Sequence, residues 1–295
     1  MKKFFAIVLA LVMVLSLVAC GQEAAPAEEA AVDEVVDYAA MSIDELKGCL
    51  TTVADGKLTV ATSPDFAPYE FYAIDENGDY QLAGFDMALA QYIADYLGLE
   101  LEVIPMDFDG TLTELAAKNV DLSLAGYSPD PSRMDKMDFS DIYYKGGQSF
   151  VTVKDKADLF KSLEDTNNPD YAIGAQNGSI QMDLANENSA DADIVSLVKV
   201  TDIIAELIAG KLDGAYIETA VAECYAINYP DLAIVLPVPY EAEGSAVGVS
   251  KDNGALLAAV NLAVNAALED GSMDQFVADA NELSAGNVYE GLLEG

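Results

Sequence analysis

Arg133 is the only arginine in this sequence of 295 residues, and the residues before it favour an anion-binding turn. Asp130 can cap a helix by accepting a backbone N–H, and Pro131 suits the first helical position because it has no N–H to leave unpaired. The guanidinium then falls in the first helical turn, where free N–H groups and its own planar fork of donors can hold a carboxylate. We therefore predict that Arg133 binds the carboxylate of a free small molecule. The alternative is an exposed arginine that pairs loosely with nearby acids, a contact worth only ~0–1 kcal/mol.

Composition limits the classes of protein to which this chain can belong. Acidic residues outnumber basic residues by 51 to 14, which gives a formal net charge of −37, and there is no histidine. Such a chain would repel nucleic acid and anionic lipid, so neither is predicted as a partner. Histidine is the commonest general base and metal ligand, and no zinc-binding pattern, phosphate loop or nucleophile triad is present. We predict no catalytic residue, no metal and no cofactor.

Residues 1–20 have the features of a bacterial export signal. Two lysines precede an apolar run over residues 4–18, and a small residue, Ala19, precedes Cys20. The ending Leu-Val-Ala-Cys resembles the bacterial lipobox, which implies cleavage after Ala19 and a lipid anchor (diacylglyceryl and palmitate) on Cys20. The alternative is a retained transmembrane helix, because the apolar run nearly spans a bilayer. The prediction is a lipid-anchored protein on the extracytoplasmic side of the cell membrane.

Residues 21–44 are predicted to form an acidic, flexible tether because they are rich in Ala, Glu and Pro. At its end, Ser42 and Glu45 have the spacing of a capping box for a short helix. Cys49 and Cys224 are consistent with a disulfide in an exported protein and equally with buried thiols, so their pairing stays open.

The rest of the chain alternates strand patterns with helix patterns. The predicted elements of its first half are strands 58–61, 101–104 and 120–125 and helices 86–97 and 111–118. The predicted elements of its second half are strands 149–153, 171–175, 193–198, 212–217 and 244–249 and helices 202–209, 253–269 and 272–281. Asp86 is expected to cap the first of these helices and Gly98 to end it. This order is typical of α/β folds with parallel sheets, and we predict two βαβ lobes (45–148 plus 250–295, and 149–249) joined by two hinge strands near 148–153 and 244–249.

Several conspicuous side chains follow the ends of predicted strands. Phe66, Phe108 and Arg133 lie in loops just past such strands, and Glu218 ends another. Ligands of open α/β sheets bind at the carboxyl ends of the strands. We therefore expect these residues to line one crevice.

Six motifs together carry a resemblance to a known family. They are Phe-Ala-Pro-Tyr-Glu-Phe at 66–71, Gly-Phe-Asp at 84–86, Asp-Phe-Asp at 107–109, Ser-x-x-x-x-Arg followed by Asp-Phe-Ser within 128–140, Gln-Asn-Gly-Ser at 176–179 and Leu-Asp-Gly-Ala-Tyr-Ile-Glu at 212–218. Their order and spacing, over most of the chain, resemble a type II periplasmic solute-binding protein of the amino-acid-binding branch, which serves an ABC importer.

That resemblance implies how the backbone groups of an amino acid would be held. Arg133 would bind the α-carboxylate, helped by backbone N–H groups at Ser128 and near Ile180. Glu218 would bind the α-ammonium group, and Gly126 would contribute a backbone carbonyl.

The resemblance also implies how the ligand side chain would be held. Phe66 and Phe108 would lie on either side of it, and Ser63 occupies a position where related proteins often have an aspartate that touches a polar side chain. Acidic residues close to the aromatic pair favour a polar or basic side chain: Asp65, Glu70 and Asp107. Two departures from the family pattern affect ligand identity, since Asp130 replaces a threonine and Glu218 replaces a shorter aspartate.

The expected mode of action is closure of two lobes around one zwitterionic amino acid. The expected partners are the amino acid and the permease of an ABC importer, and the protein is expected to be a monomer and not an enzyme. Two alternatives remain, because a fold does not fix a function: a ligand-sensing subunit for a separate receptor, and an enzyme on the same fold, such as a dehydratase of small carboxylates.

Overall fold

The computed structural model describes residues 36–74, 77–242 and 244–285. The predicted signal peptide 1–20, the lipidation site Cys20 and the tether up to residue 35 lie outside these ranges. The described residues from Asp37 onward belong to one compact unit. Within the described ranges, every helix is too short or too polar to cross a membrane.

The described residues contain eight α-helices and thirteen β-strands. The helices are α1 (Ile43–Lys47), α2 (Phe85–Leu97), α3 (Phe108–Ala116), α4 (Ile180–Asn188), α5 (Val200–Ile208), α6 (Thr219–Asn228), α7 (Gly254–Glu269) and α8 (Ser272–Ser284). The strands are β1 (Lys57–Thr62), β2 (Asp65–Phe66), β3 (Glu70–Ile74), β4 (Tyr80–Ala83), β5 (Glu100–Pro105), β6 (Leu122–Ser123), β7 (Met137–Tyr144), β8 (Gln148–Val153), β9 (Ala172–Gln176), β10 (Asp193–Leu197), β11 (Gly214–Glu218), β12 (Leu232–Val238) and β13 (Ser245–Ser250). Strands and helices alternate along most of the chain, so the predicted α/β class is confirmed.

Two five-stranded sheets form the centres of the two lobes. The first has the strand order β5-β1-β6-β13-β7 and the second has the order β10-β9-β11-β8-β12. Strand β1 is parallel to β5 and β6, and β9 is parallel to β10 and β11. In contrast, β13 and β8 run antiparallel to their neighbours. Each sheet is therefore mixed, whereas purely parallel sheets were predicted.

Strand β13 lies in a different lobe from the one predicted for it. Residues up to 249 are predicted to belong to the second lobe, but Ser245–Ser250 pairs with β6 and β7 of the first sheet. The chain therefore crosses between the sheets after Tyr144 and again between Val238 and Ser245. All six residues of β13 are buried, and a fully buried strand carries no pattern that distinguishes one sheet from the other.

The C-terminal end of helix α2 was predicted correctly, whereas its N-terminal cap was not. Gly98 ends it in the left-handed conformation, with φ of 74°, as predicted. Gly84 is the N-cap instead of Asp86: its φ is 119°, and a Cβ there would lie 2.0 Å from the carbonyl oxygen of Tyr69. Asp86 is consequently one residue inside the helix and fully buried.

The chain before β1 is attached to the first lobe. Ser42 and Glu45 form the predicted capping box at the start of α1. Tyr38, Met41 and Ile43 pack against the largest apolar core, so this last part of the predicted tether is packed on the folded unit. Cys49 is exposed and Cys224 is buried, and the two form no disulfide.

Candidate functional site: the cleft between the lobes

Arg133 ends a short 3₁₀ turn, Pro131–Arg133, and not an α-helix. Asp130 caps this turn as predicted, because its Oδ1 accepts a hydrogen bond from the N–H of Ser132 at 2.7 Å. A turn of 3 residues has no helix macrodipole of the kind that holds an anion. Binding of an anion here therefore depends on the guanidinium itself.

The guanidinium of Arg133 reaches across the cleft to the second lobe. Its Nη2 donates a hydrogen bond of 3.0 Å to the carbonyl oxygen of Gly178, in the loop before α4. Its Cζ lies 5.9 Å from the ring centroid of Phe108, within the range of a cation–π contact. Arg133 thus lies where both lobes and one aromatic ring meet.

Phe66, the second predicted aromatic residue, packs tightly against Gly126. A Cβ on Gly126, whose φ is 59°, would lie 2.7 Å from Cε1 of Phe66. The N–H of Gly126 donates to Oδ2 of Asp86 at 3.1 Å. Phe66 and Phe108 are 7% and 8% exposed, so both rings are buried in this arrangement of the lobes.

Glu70 belongs to a buried acid pair behind Phe66. Burial raises its pKa well above the usual value, and the neighbouring Asp86 raises it further. Burial also raises the pKa of Asp86 to about 6. Burial therefore favours the neutral form of Glu70, which makes it a poor source of the negative charge expected of it from the sequence.

Glu218 caps α6 and contacts the first crossing between the lobes. Its carboxylate accepts hydrogen bonds from the N–H groups of Val221, at 2.9 Å, and Gly147, at 3.2 Å. A Cβ on Gly146 would lie 2.6 Å from Oε1 of Glu218, so the carboxylate fits closely under this segment. Burial raises the pKa of Glu218 to about 7, and the hydrogen bonds from Val221 and Gly147 lower it only in part. Glu218 and Arg133 therefore have separate partners.

Ser63 donates its hydroxyl proton to Asp65. The Oγ to Oδ1 distance is 2.8 Å, and both side chains are buried. Both residues line a cavity of about 240 Å³ whose walls come from the two lobes: Ser63, Pro64, Asp65, Tyr72, Pro105, Met106, Asp107, Lys199 and Thr201. Because the Ser63 hydroxyl donates its proton to Asp65, it can only accept a hydrogen bond from a ligand.

Asp65, predicted only as an acid close to the aromatic pair, contacts the second lobe through its carboxylate. Its Oδ2 accepts from the N–H of Val200 at 2.6 Å and from Nε2 of Gln176 at 3.1 Å. Burial raises the pKa of Asp65 to about 6, against the lowering effect of the hydrogen bond from Val200. A contact between residues 135 positions apart leaves no local signal in the sequence.

Ser128 and Ile180 belong to different lobes. Ser128 is buried, and Ile180 is the first residue of α4, after the N-cap Ser179. Ile180 lines a larger cavity of about 630 Å³ together with residues of both lobes: Asp130, Pro131, Asp183, Leu184, Glu187, Pro239, Tyr240, Glu241 and Ala242. This side of the cleft is acidic, so the charge of Arg133 is the feature that would draw a carboxylate there.

The described residues contain no group of three or more Cys, Asp or Glu side chains placed to hold a metal ion. Two α/β lobes with cavities between them, and a guanidinium that bonds from one lobe to the other beside an aromatic ring, form the architecture of a solute-binding protein. The chain belongs to the bacterial extracellular solute-binding proteins, family 3, whose model matches residues 58–279.

Individual relatives agree with this family. The chain is 36% identical over 201 residues to the arginine-binding extracellular protein ArtP of Bacillus subtilis (strain 168), which covers 67% of this chain and 75% of ArtP. It is similar to the crystal structure of the amino acid ABC transporter substrate-binding protein AbpA from Streptococcus pneumoniae bound to L-arginine, with a TM-score of 0.75, 34% identity and coverage of 82% of this chain and 99% of AbpA. It is also 28% identical over 182 residues to a cyclohexadienyl dehydratase of Pseudomonas aeruginosa, covering 62% of this chain and 66% of the enzyme.

Proposed function

We propose that this protein captures a cationic amino acid, of the arginine type, by closing its lobes around it for delivery to the permease of an ABC importer. The observation that carries the proposal is the position of Arg133, over the ring of Phe108 and within 3.0 Å of the carbonyl oxygen of Gly178. A carboxylate accepts from a guanidinium more strongly than a neutral carbonyl does. The α-carboxylate of a ligand would therefore replace the Gly178 carbonyl as the acceptor, next to the N–H groups of Ser128 and Ile180.

The α-ammonium group would be bound at Glu218. This carboxyl has a pKa of about 7 without a ligand, because burial favours its neutral form. An ammonium group placed against it favours the ionised form and lowers that pKa. The carbonyl of Gly126 would accept a further hydrogen bond from the same ammonium group.

The ligand side chain would lie between Phe66 and Phe108 and extend toward Ser63. A guanidinium or ammonium stacks favourably on aromatic faces and donates hydrogen bonds. Ser63 can only accept in this arrangement, because its proton is held by Asp65. The net charge of −37 further favours a cation over an anion. Relatives named as arginine-binding proteins support the same choice.

Isothermal titration calorimetry of the mature protein with single amino acids tests the proposed ligand class. L-Arginine and L-lysine are expected to bind more tightly than L-glutamine, and L-glutamate is expected not to bind. Equal or tighter binding of L-glutamate would overturn the assignment of a cationic ligand. Failure of every amino acid to bind would overturn the proposed function itself.

An enzyme on the same fold is the second candidate. Two observations favour it: the similarity to a cyclohexadienyl dehydratase, and a buried carboxyl at Glu218 whose pKa of about 7 suits a general acid or base. The proposed function differs from this candidate, because it is binding of the amino acid without chemical conversion. NMR of L-arginine after prolonged incubation with the protein should show the ligand unchanged, and a new product that disappears in Glu218→Gln would establish the enzyme instead.

The proposed location is the outer face of the cell membrane, with a lipid on Cys20. The support is the basic, apolar and Leu-Val-Ala-Cys pattern of residues 1–20, together with the family's extracellular character. Mass spectrometry of the native protein should find a chain that begins at a diacylated Cys20. Cys20→Ser should release the protein from the membrane fraction, and an unchanged membrane-bound fraction would contradict the lipid anchor. The protein is also proposed to act as a monomer.

A further inference from the structure

Helix α5 of the second lobe lacks a capping side chain of its own. Its N-cap residue is Lys199, whose side chain makes no capping hydrogen bond. The N–H of Val200, the first helical residue, points into a buried region where water cannot replace a missing acceptor. A buried N–H without an acceptor costs free energy, so this helix start needs a partner from elsewhere.

That partner comes from the first lobe. Oδ2 of Asp65 accepts the N–H of Val200 at 2.6 Å and also Nε2 of Gln176 at 3.1 Å, while Oδ1 accepts the hydroxyl of Ser63 at 2.8 Å. The backbone carbonyl of Asp65 accepts the hydroxyl of Tyr225, on α6, at 3.2 Å. One residue of the first lobe thus satisfies three donors of the second.

We infer that Asp65 is a positioning residue for lobe closure, which caps α5 across the cleft and thereby favours the closed arrangement of the lobes. The inference deepens the proposed function, because closure around a ligand is what that function requires. Opening the cleft separates Asp65 from Val200 and Gln176. Closure therefore re-forms a helix cap at the same time as it brings Arg133 to the second lobe.

This role requires a side chain at position 65 that accepts hydrogen bonds, and it does not require a negative charge there. A neutral asparagine side chain at this position keeps one carbonyl oxygen for Val200 and Gln176 and can donate its amide to the hydroxyl of Ser63. It also avoids the cost of burying a charge. Asp65→Asn should therefore close as well as the wild type, whereas Asp65→Ala leaves both donors unpaired and should open the cleft.

Asp213 provides a matched control within the second lobe. Its carboxylate accepts the N–H of Ala172 at 2.9 Å and Nζ of Lys156 at 2.6 Å, again one backbone and one side-chain donor. Both donors belong to the same lobe as Asp213. Asp213→Ala should therefore lower the melting temperature without changing the lobe arrangement.

The first experiment is small-angle X-ray scattering of ligand-free wild type, Asp65→Ala, Asp65→Asn and Asp213→Ala, with circular dichroism to establish that each is folded. A larger radius of gyration only in Asp65→Ala is expected. The same radius in Asp65→Ala as in wild type, or an equal increase in Asp213→Ala, would overturn the inference. If Asp65→Ala fails to fold, an opened Asp65→Asn would overturn it and a closed one with wild-type dimensions would support it.

The second experiment measures L-arginine affinity in the same proteins. Asp65→Ala should bind about tenfold more weakly, or ~1.4 kcal/mol, while Asp65→Asn should stay within about threefold of wild type. Unchanged affinity in Asp65→Ala would contradict a role in closure. If wild type itself does not bind L-arginine, the proposed ligand is wrong, but the scattering experiment still decides the role of Asp65.

Discussion

Two of the polar contacts between the lobes have opposite character. Arg133 is partly exposed and donates one hydrogen bond of 3.0 Å to a neutral carbonyl, that of Gly178. Asp65 is buried and accepts hydrogen bonds of 2.6 and 3.1 Å from Val200 and Gln176. The first contact is easily exchanged for a better acceptor, whereas the second has all its partners inside the protein.

This difference separates recognition from closure. A ligand carboxylate competes with the Gly178 carbonyl for Arg133, because a charged acceptor binds a guanidinium more strongly. No ligand group is needed at Asp65, whose oxygens already accept three donors. Mutations at these two contacts should therefore have different effects on ligand affinity and on lobe arrangement.

Arg133→Ala should have the largest effect on binding. In the closed complex the guanidinium and the ligand carboxylate would form a buried charge pair, and loss of one partner of such a pair weakens binding by ~2–5 kcal/mol, so L-arginine affinity should fall by that amount in calorimetry. The ligand-free lobes should stay in contact through Asp65, so scattering should show wild-type dimensions. Retained wild-type affinity, or an opened ligand-free protein, would break the distinction between the two contacts.

Glu218→Gln should have the next largest effect and should remove a pH dependence. The pKa of Glu218 is raised to about 7, so the ligand-free protein holds a proton there that an incoming ammonium group expels. Wild-type affinity should therefore rise as the pH increases from ~5 to ~8, with release of a proton on binding. Glu218→Gln should bind more weakly by ~1.5–3 kcal/mol, the range for hydrogen bonds to charged groups, with a flat profile. The same steep profile in Glu218→Gln would place the titrating group elsewhere.

Phe66→Leu tests the aromatic part of the site while keeping an apolar side chain. Loss of the ring face should reduce L-arginine affinity by ~0.5–2 kcal/mol, the range of a cation–π contact. Gly126 packs against this ring, so melting temperature has to be measured in parallel. An affinity loss for L-glutamine as large as that for L-arginine would show that Phe66 contributes packing alone.

Ser63→Ala should have the smallest effect. It removes one neutral acceptor for the ligand side chain, a loss of ~0.5–1.5 kcal/mol. Affinity for L-arginine should decrease, and affinity for an amino acid without side-chain donors should not. An unchanged affinity for L-arginine in this variant would show that Ser63 accepts no hydrogen bond from the ligand side chain.

Local signals in the sequence predicted the parts of the fold that depend on neighbouring residues. The capping box at Ser42 and the helix end at Gly98 were both found because their chemistry lies within one helical turn. The cap at Asp86 was wrong because the approach of Gly84 to the backbone of Tyr69 decides where α2 begins. Strand β12 was missed, and Pro237 in this strand is tolerated because β12 lies at a sheet edge.

The candidate site was predictable as a set of residues but not as a network. The sequence indicated Arg133 and Phe108, and in the structure the Cζ of Arg133 lies 5.9 Å from the ring centroid of Phe108. It gave no sign that Glu70 would be buried behind the site or that Asp65 would cap a helix of the other lobe. Both facts depend on how the two lobes pack against each other, and no short segment of the sequence encodes that packing.

A crystal structure of the protein grown with L-arginine tests the central claim most directly. The ligand carboxylate should lie within hydrogen-bonding distance of Arg133 in place of the Gly178 carbonyl, with the ligand side chain between Phe66 and Phe108. The contact between Asp65 and Val200 should be unchanged. A ligand bound elsewhere, with Arg133 still donating to Gly178, would contradict the account.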